Sequence, residues 1–226
     1  MRFVTASDDM FVRVWDVRTG KALAEHAVRL PGDEVLVTED GAVETKFGGG
    51  QCPWMSSDAS VFILMKADKV LVYDVLTGKV ARELPRWIAN SRFQSISPDG
   101  KYFLAGHQGA TVKLPDGRWH RDDDVLRLID LSTGKPVRMM SLGSDVPHTA
   151  IFSPDGRYAA LQMRVAGAPV RIFRVATLEQ VLTIKGYDAY VWSLAFSADN
   201  RLLVSGLGDT TALVWDIAEA TREVKE

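Results

Sequence analysis

The run His120-Arg121-Asp122-Asp123-Asp124 concentrates side chains able to ligate a divalent cation, an imidazole beside three carboxylates. Its spacing argues against that use, because it follows no calcium-loop pattern and has no glycine at the sixth position, where such a loop turns. It reads instead as a solvated charged loop leading into a strand over 125–131. Gly48-Gly49-Gly50 lacks the Lys-Ser or Lys-Thr of a phosphate loop, and no helix start follows it. The serines stand in Ser-Pro-Asp turns or in strands, none in a nucleophile elbow, and the four histidines, His26, His107, His120 and His148, are scattered. Cys52 has no matching His motif and is expected to be a buried, inert thiol. No catalytic set, metal site or cofactor is expected.

Bulk properties narrow the classes further. The 226 residues are 46% hydrophobic and 25% charged, within the globular range. A formal net charge of -2 gives no global basic field, so no nucleic-acid partner is expected. One cysteine cannot form an intrachain disulfide, in keeping with a reducing, cytoplasmic setting. The sequence from Met1 to Asp9 lacks the features of a signal peptide, and apolar runs such as Val61-Phe62-Ile63-Leu64-Met65 are only strand length, so no membrane is expected.

The elements that would position any site come from a repeated phrase. Val12-Arg13-Val14-Trp15-Asp16-Val17-Arg18-Thr19-Gly20-Lys21 returns as Val70-Leu71-Val72-Tyr73-Asp74-Val75-Leu76-Thr77-Gly78-Lys79 and as Leu126-Arg127-Leu128-Ile129-Asp130-Leu131-Ser132-Thr133-Gly134-Lys135. Weaker copies are Val170-Arg171-Ile172-Phe173-Arg174-Val175-Ala176-Thr177 and Ala212-Leu213-Val214-Trp215-Asp216-Ile217. The markers Asp16, Asp74, Asp130, Arg174 and Asp216 are about 40 to 60 residues apart, the spacing of four-stranded propeller blades. Tight turns precede the later copies at Ser56-Ser57-Asp58-Ala59, Ser97-Pro98-Asp99-Gly100, Ser153-Pro154-Asp155-Gly156 and Ser197-Ala198-Asp199-Asn200. The last unit predicts strands over 190–197, 201–205 and 211–217, and segments such as 79–84 and 136–142 supply a fourth strand in other units. Short β runs with almost no helical periodicity indicate an all-β fold.

In this order the motifs resemble the WD-repeat β-propeller family over nearly the whole chain. Trp15-Asp16 and Trp215-Asp216 match its dipeptide, the Ser-Pro-Asp-Gly turns its inner hairpin, and Thr-Gly-Lys its outer hairpin. The resemblance implies a structural hydrogen-bonded group matched in part by Ser7, Asp9 and Trp15 in the first unit and by Ser205, Asp209 and Trp215 in the last. The family's Gly-His is replaced by Gly186-Tyr187. Tyr73, Ile129 and Phe173 stand in place of Trp, and Arg174 in place of Asp, so the middle blades are expected to rely on apolar packing.

The resemblance implies a propeller over 1–217, with units over about 1–28, 29–84, 85–142, 143–184 and 185–217 and a charged tail over 218–226. The first unit begins on what reads as its second strand, so about five four-stranded antiparallel blades are expected, the first without its innermost strand. The preferred expectation is the C-terminal part of a larger propeller, with more blades or a domain upstream. A five-bladed closure and an oligomerising arc remain alternatives. Two stretches exceed the needs of a blade: 29–51, which suggests an irregular strand or loop, and 107–124, where a small hairpin over 111–119 turns on Pro115-Asp116-Gly117.

Counting back from the aligned turns puts Gln51, Arg92, His148 and Trp192 at equivalent positions, where each innermost strand begins. In the family this position resembles the rim of the top face, where peptides and proteins dock. Arg and Trp are also enriched at binding hot spots. Trp192, with Tyr190 beside it, is the leading candidate. The resemblance thus implies a noncatalytic interaction scaffold for a protein or peptide partner. The alternative is a propeller hydrolase or lyase with a metal in its central channel, for which these positions supply only His148 as an obvious ligand.

Overall fold

Copies of the repeated phrase form strands in which alternate residues are buried, as a period of two requires; in Phe11–Asp16, Val12 and Val14 are fully buried. The computed structural model describes residues 2–6, 11–27, 35–37, 43–45, 54–66, 69–85, 88, 93–107, 111–113, 119–121, 124–143, 147–163, 167 and 169–219. Among them no helix is long and apolar enough to cross a membrane. Contacts divide the chain into two units, 1–89 and 90–226.

In the first unit, β1 (Arg2–Ala6), β2 (Phe11–Asp16) and β3 (Ala22–Ala27) form an antiparallel sheet in that order. A short hairpin of β4 (Val35–Val37) and β5 (Val43–Thr45) follows, within the stretch read as an irregular strand or loop. The next sheet runs β6 (Trp54–Met55), β7 (Val61–Lys66), β8 (Lys69–Asp74), β9 (Val80–Leu84). Val12 and Val14 pack with Phe62, Leu64, Leu71 and Tyr73. Tyr73 holds the place of the repeat's tryptophan by stacking on Phe62, with ring centroids 4.7 Å apart and planes within 3°. Gly78, at φ +64°, lies against the His26 ring, so any side chain there would collide with it.

The second unit opens with β10 (Phe93–Ile96), β11 (Tyr102–His107), the hairpin strands β12 (Thr111–Lys113) and β13 (Trp119–Arg121), β14 (Asp124–Asp130) and β15 (Lys135–Gly143). The sheet order is β10-β11-β14-β15, with β12 and β13 as a separate ribbon. The fourth sheet is β16 (Pro147–Phe152), β17 (Tyr158–Met163), β18 (Val170–Arg174), β19 (Glu179–Ile184), and the fifth β20 (Val191–Phe196), β21 (Leu202–Leu207), β22 (Ala212–Asp216).

His120, Arg121 and Asp124 lie in strands, where the charged run was expected to form a loop. His120 and Arg121 belong to β13 because β12 pairs with it, Val112 opposite His120, and Asp124 opens β14 at 1% exposure.

Among the described residues the first and fifth sheets have three strands each, and register shows which position the first one lacks. Arg2 lies opposite Asp16 as Val61 lies opposite Asp74 and Tyr102 opposite Asp130, so β1 occupies the second-strand position. Among the described residues the first sheet therefore has three strands and lacks the innermost one.

Strand β17 shows how neighbouring sheets share a core, since all six of its residues are buried. Ala159, Leu161 and Met163 face the cluster containing Leu104, Leu126 and Leu128, whereas Tyr158 and Ala160 face the cluster containing Val191, Leu203 and Ile217. A strand sandwiched between two sheets must be apolar on both faces. The Ser-x-Asp turns fix the inner hairpins locally: Ser97 donates to Asp99 at 2.7 Å and accepts from the Tyr102 amide at 2.9 Å. Ser153 with Asp155 and Ser197 with Asp199 repeat the arrangement.

Candidate functional site

The inner strands β16 and β20 break register at equivalent places. Pro147 and Thr149 oppose the consecutive residues Met163 and Gln162, leaving His148 as an extra residue; Val191 and Ser193 oppose Leu207 and Gly206, leaving Trp192 likewise. Such bulges re-aim the side chain they release. Both side chains are exposed, Trp192 at 64%, and their rings meet edge to face, with centroids 6.4 Å apart and planes at 85°. Tyr190, 48% exposed, adds a third ring 6.2 Å from Trp192. Three ring side chains, each with a polar tip, thus form one exposed cluster.

The cluster rests on a fixed backbone. Gly208 donates its amide to the Tyr190 carbonyl at 2.8 Å, and a Cβ on Gly208 would lie 2.6 Å from Trp192 Nε1, so the indole lies close over that glycine. Gln162, 3% exposed on β17, donates from Nε2 to the Val191 carbonyl and ties the fourth sheet to the bulge of the fifth. Counting back from the turns gives Gln51, Arg92, His148 and Trp192, with Tyr190 as a neighbour of Trp192, but misses Gly208 and Gln162, whose roles depend on contacts between strands.

The scaffold residues have a different geometry. Trp215 donates from Nε1 to Ser205 Oγ at 3.1 Å, and Tyr187 packs edge-on against Trp215 at 5.4 Å. Burial pushes the Tyr187 phenol up, against a smaller opposing influence of Ser205 and Trp215, and its hydroxyl has no aligned hydrogen bond. Asp209 does not join this group: it accepts from the Thr211 hydroxyl and amide, the hydroxyl bond being the main cause of its lowered pKa. Asp16 caps its turn by accepting from the Arg18 and Thr19 amides, the latter chiefly lowering its pKa, and Asp216 accepts from the Ala218 amide.

In the first sheet Trp15 donates to Thr5 Oγ1 at 2.8 Å, so Thr5, two residues before Ser7, supplies the hydroxyl. Thr5 precedes Trp15 by ten residues, as Ser205 precedes Trp215. That shared spacing was the signal for it.

The same indole-to-hydroxyl bond in the first and last sheets accompanies a match of residues 178–216 to the family described as WD domain, G-beta repeat. Residues 178–216 are a WD repeat. Among proteins similar to it, nuclear distribution protein PAC1 of Arthroderma otae is 21% identical over 232 residues, covering 98% of this chain and 48% of that protein. The PAC1 protein of Trichophyton verrucosum is 22% identical over 251 residues with the same coverage, 98% and 48%. Eukaryotic translation initiation factor 3 subunit I of Bombyx mori is 21% identical over 250 residues, covering 91% of this chain and 73% of that protein. The WD-repeat chain thus spans about half the length of the PAC1 relatives.

Gln51, Arg92, Ser7, Asp9, Cys52 and the triglycine at 48–50 lie outside the described residues. Among the described residues, no three His, Cys, Asp or Glu side chains come together as a metal-binding group.

Proposed function

We propose that this WD-repeat protein is a noncatalytic, cytoplasmic scaffold that binds a protein or peptide partner on the rim where its inner strands begin. Trp192 is the anchor, His148 and Tyr190 flank it, and Gln51 and Arg92 are its counterparts on other blades. The units over 1–28, 29–84, 85–142, 143–184 and 185–217 act as one interaction domain.

The observation that carries this reading is the paired bulge, which presents His148 and Trp192 in edge contact from neighbouring sheets. Aromatic side chains held this way offer large contact area at low entropic cost, and Trp and Tyr are enriched at binding hot spots. Burying an exposed side chain of this size contributes about 1.5–3 kcal/mol. The name of the Bombyx mori relative, a subunit of an initiation factor, supports a role in an assembly.

Photo-crosslinking in the producing cells tests the proposal. A benzophenone side chain at position 190 should capture a discrete protein partner that is lost on Trp192→Ala. The same probe at Met139, exposed on β15, should not capture it. Equal capture from both positions, or capture unaffected by Trp192→Ala, would refute the rim assignment.

A further inference from the structure

The turns that follow the inner strands β10 and β16 border a cleft of about 620 Å³ between the third and fourth sheets. Its apolar surface comes from Leu128, Val175, Pro98 and Pro154, and Arg138, Arg157 and Arg174 stand on its walls. Position 174 breaks the repeat's own rule. Where Asp16, Asp74, Asp130 and Asp216 turn a carboxylate back to cap the following turn, this copy has an arginine. The turn after Arg174 closes without that cap, and Leu178 sits at φ +57° where Gly20, Gly78 and Gly134 stand in other copies. A repeat that gives up both a cap and a glycine at one turn loses local stability there. The departure also exchanges a negative charge for a positive one at the cleft.

Arg174 is available for a ligand. Among the described residues it has no carboxylate partner, and its guanidinium lies 5.8 Å from the centre of the Tyr158 ring. Among the described residues Arg138 donates to the Ala176 and Val137 carbonyls, bonds that do not neutralise its charge. The two cleft carboxylates already have cations, Asp155 pairing with Arg157 at 2.7 Å and Asp99 with Lys101 at 3.0 Å.

We infer that this cleft is a second binding site, for an extended acidic peptide whose Asp or Glu carboxylate pairs with Arg174 and Arg138 while an adjacent aliphatic side chain covers Leu128 and Val175. Guanidinium groups recognise carboxylates through paired N–H donors, and apolar walls strengthen that attraction by excluding water. Asp99 and Asp155 remain ionised at neutral pH, since the bonds from Ser97 and Lys101, and from Ser153 and Arg157, outweigh burial. Their charge disfavours a dianion such as a phosphate more than it disfavours a carboxylate. The site goes beyond the rim and does not depend on it.

Fluorescence anisotropy with the full chain and a dye-labelled peptide of alternating glutamate and leucine tests the proposal. Arg174→Asp restores the repeat's own residue, so it should keep or raise the melting temperature while weakening binding by at least about tenfold, as loss of a charge-assisted pair implies. Arg138→Gln should weaken binding by a smaller factor, and a glutamine-leucine peptide should bind as poorly as the Arg174→Asp variant binds the acidic one. The His148→Ala/Trp192→Ala variant should bind the acidic peptide unchanged, which separates failure here from failure of the rim reading. Equal binding by wild type and Arg174→Asp, or equal binding of the glutamine peptide, would overturn the site. Tighter binding of a phosphoserine-leucine peptide than of the glutamate peptide would overturn its assignment to carboxylates.

Discussion

Replacing Ser205 by alanine should cost more stability than the loss of one small hydroxyl suggests. Ser205 is fully buried, its Oγ accepts the Trp215 indole N–H at 3.1 Å, and the Tyr187 ring covers that contact. Alanine removes that acceptor from a partly buried indole donor, a loss of about 1–3 kcal/mol. Tyr187→Phe is the informative companion. It removes a hydroxyl that has no aligned bond and keeps the ring against Trp215, so its effect should stay within about 0.5 kcal/mol. Tyr187→Ala removes the ring from the cluster of Ile172, Val191 and Ile217 and should cost about 3–5 kcal/mol. Urea unfolding at neutral pH, followed by circular dichroism and tryptophan fluorescence, measures all three. A costless Ser205→Ala, or a Tyr187→Phe as damaging as Ser205→Ala, would refute the reasoning by showing that the tyrosine hydroxyl carries the bond.

Gly208→Ala should turn Trp192 off its seat, because the new Cβ would stand 2.6 Å from Nε1, while the exposed indole can swing away. Trp192 emission and partner binding should change while the melting temperature moves by no more than about 2 °C; unchanged binding would contradict the rim geometry. Gly78→Ala combines a left-handed φ of +64° with collision against His26, and should destabilise by at least about 1 kcal/mol in urea unfolding. The turn aspartates set an acid limit. Hydrogen bonds from Thr77 lower Asp74, and the bond from Ser197 chiefly lowers Asp199, so both are more acidic folded than unfolded. Their stabilisation is complete above the unfolded pKa of about 3.9 and is lost as pH falls through the lower folded values. The urea midpoint should therefore hold from neutral pH to about 5 and decline below about 4, with Asp74→Asn flattening the decline.

Local chemistry made much of the fold legible in the sequence. Each Ser-x-Asp turn is closed by bonds spanning two to five residues, so Ser97-Pro98-Asp99-Gly100 carries its own geometry. The strand over Arg2–Ala6 is readable from its place before the first copy of the repeated phrase and lies in the second-strand register. Interactions between strands were harder to read. Thr5 meets Trp15 because pairing sets Thr5 opposite Arg13, a register that turn motifs alone do not reveal. The charges of the run at 120–124 suggest a loop, yet pairing with β12 puts His120 and Arg121 in a strand, and Asp124 opens β14 buried. Counting singled out His148 and Trp192 but could not show the bulges that release them or the Gln162 bond behind one of them. The cleft at Arg174 was visible only as a departure from the repeat.

The rim is tested most directly by a double-mutant cycle in titration calorimetry, using the partner captured from position 190. Wild type, His148→Ala, Trp192→Ala and the double variant are compared. Because the two rings touch at 6.4 Å, Trp192→Ala should weaken binding by at least about tenfold and the pair should be non-additive by about 0.5 kcal/mol or more. Affinity unchanged in the double variant, with the β spectrum intact, would contradict a scaffold that binds through this rim.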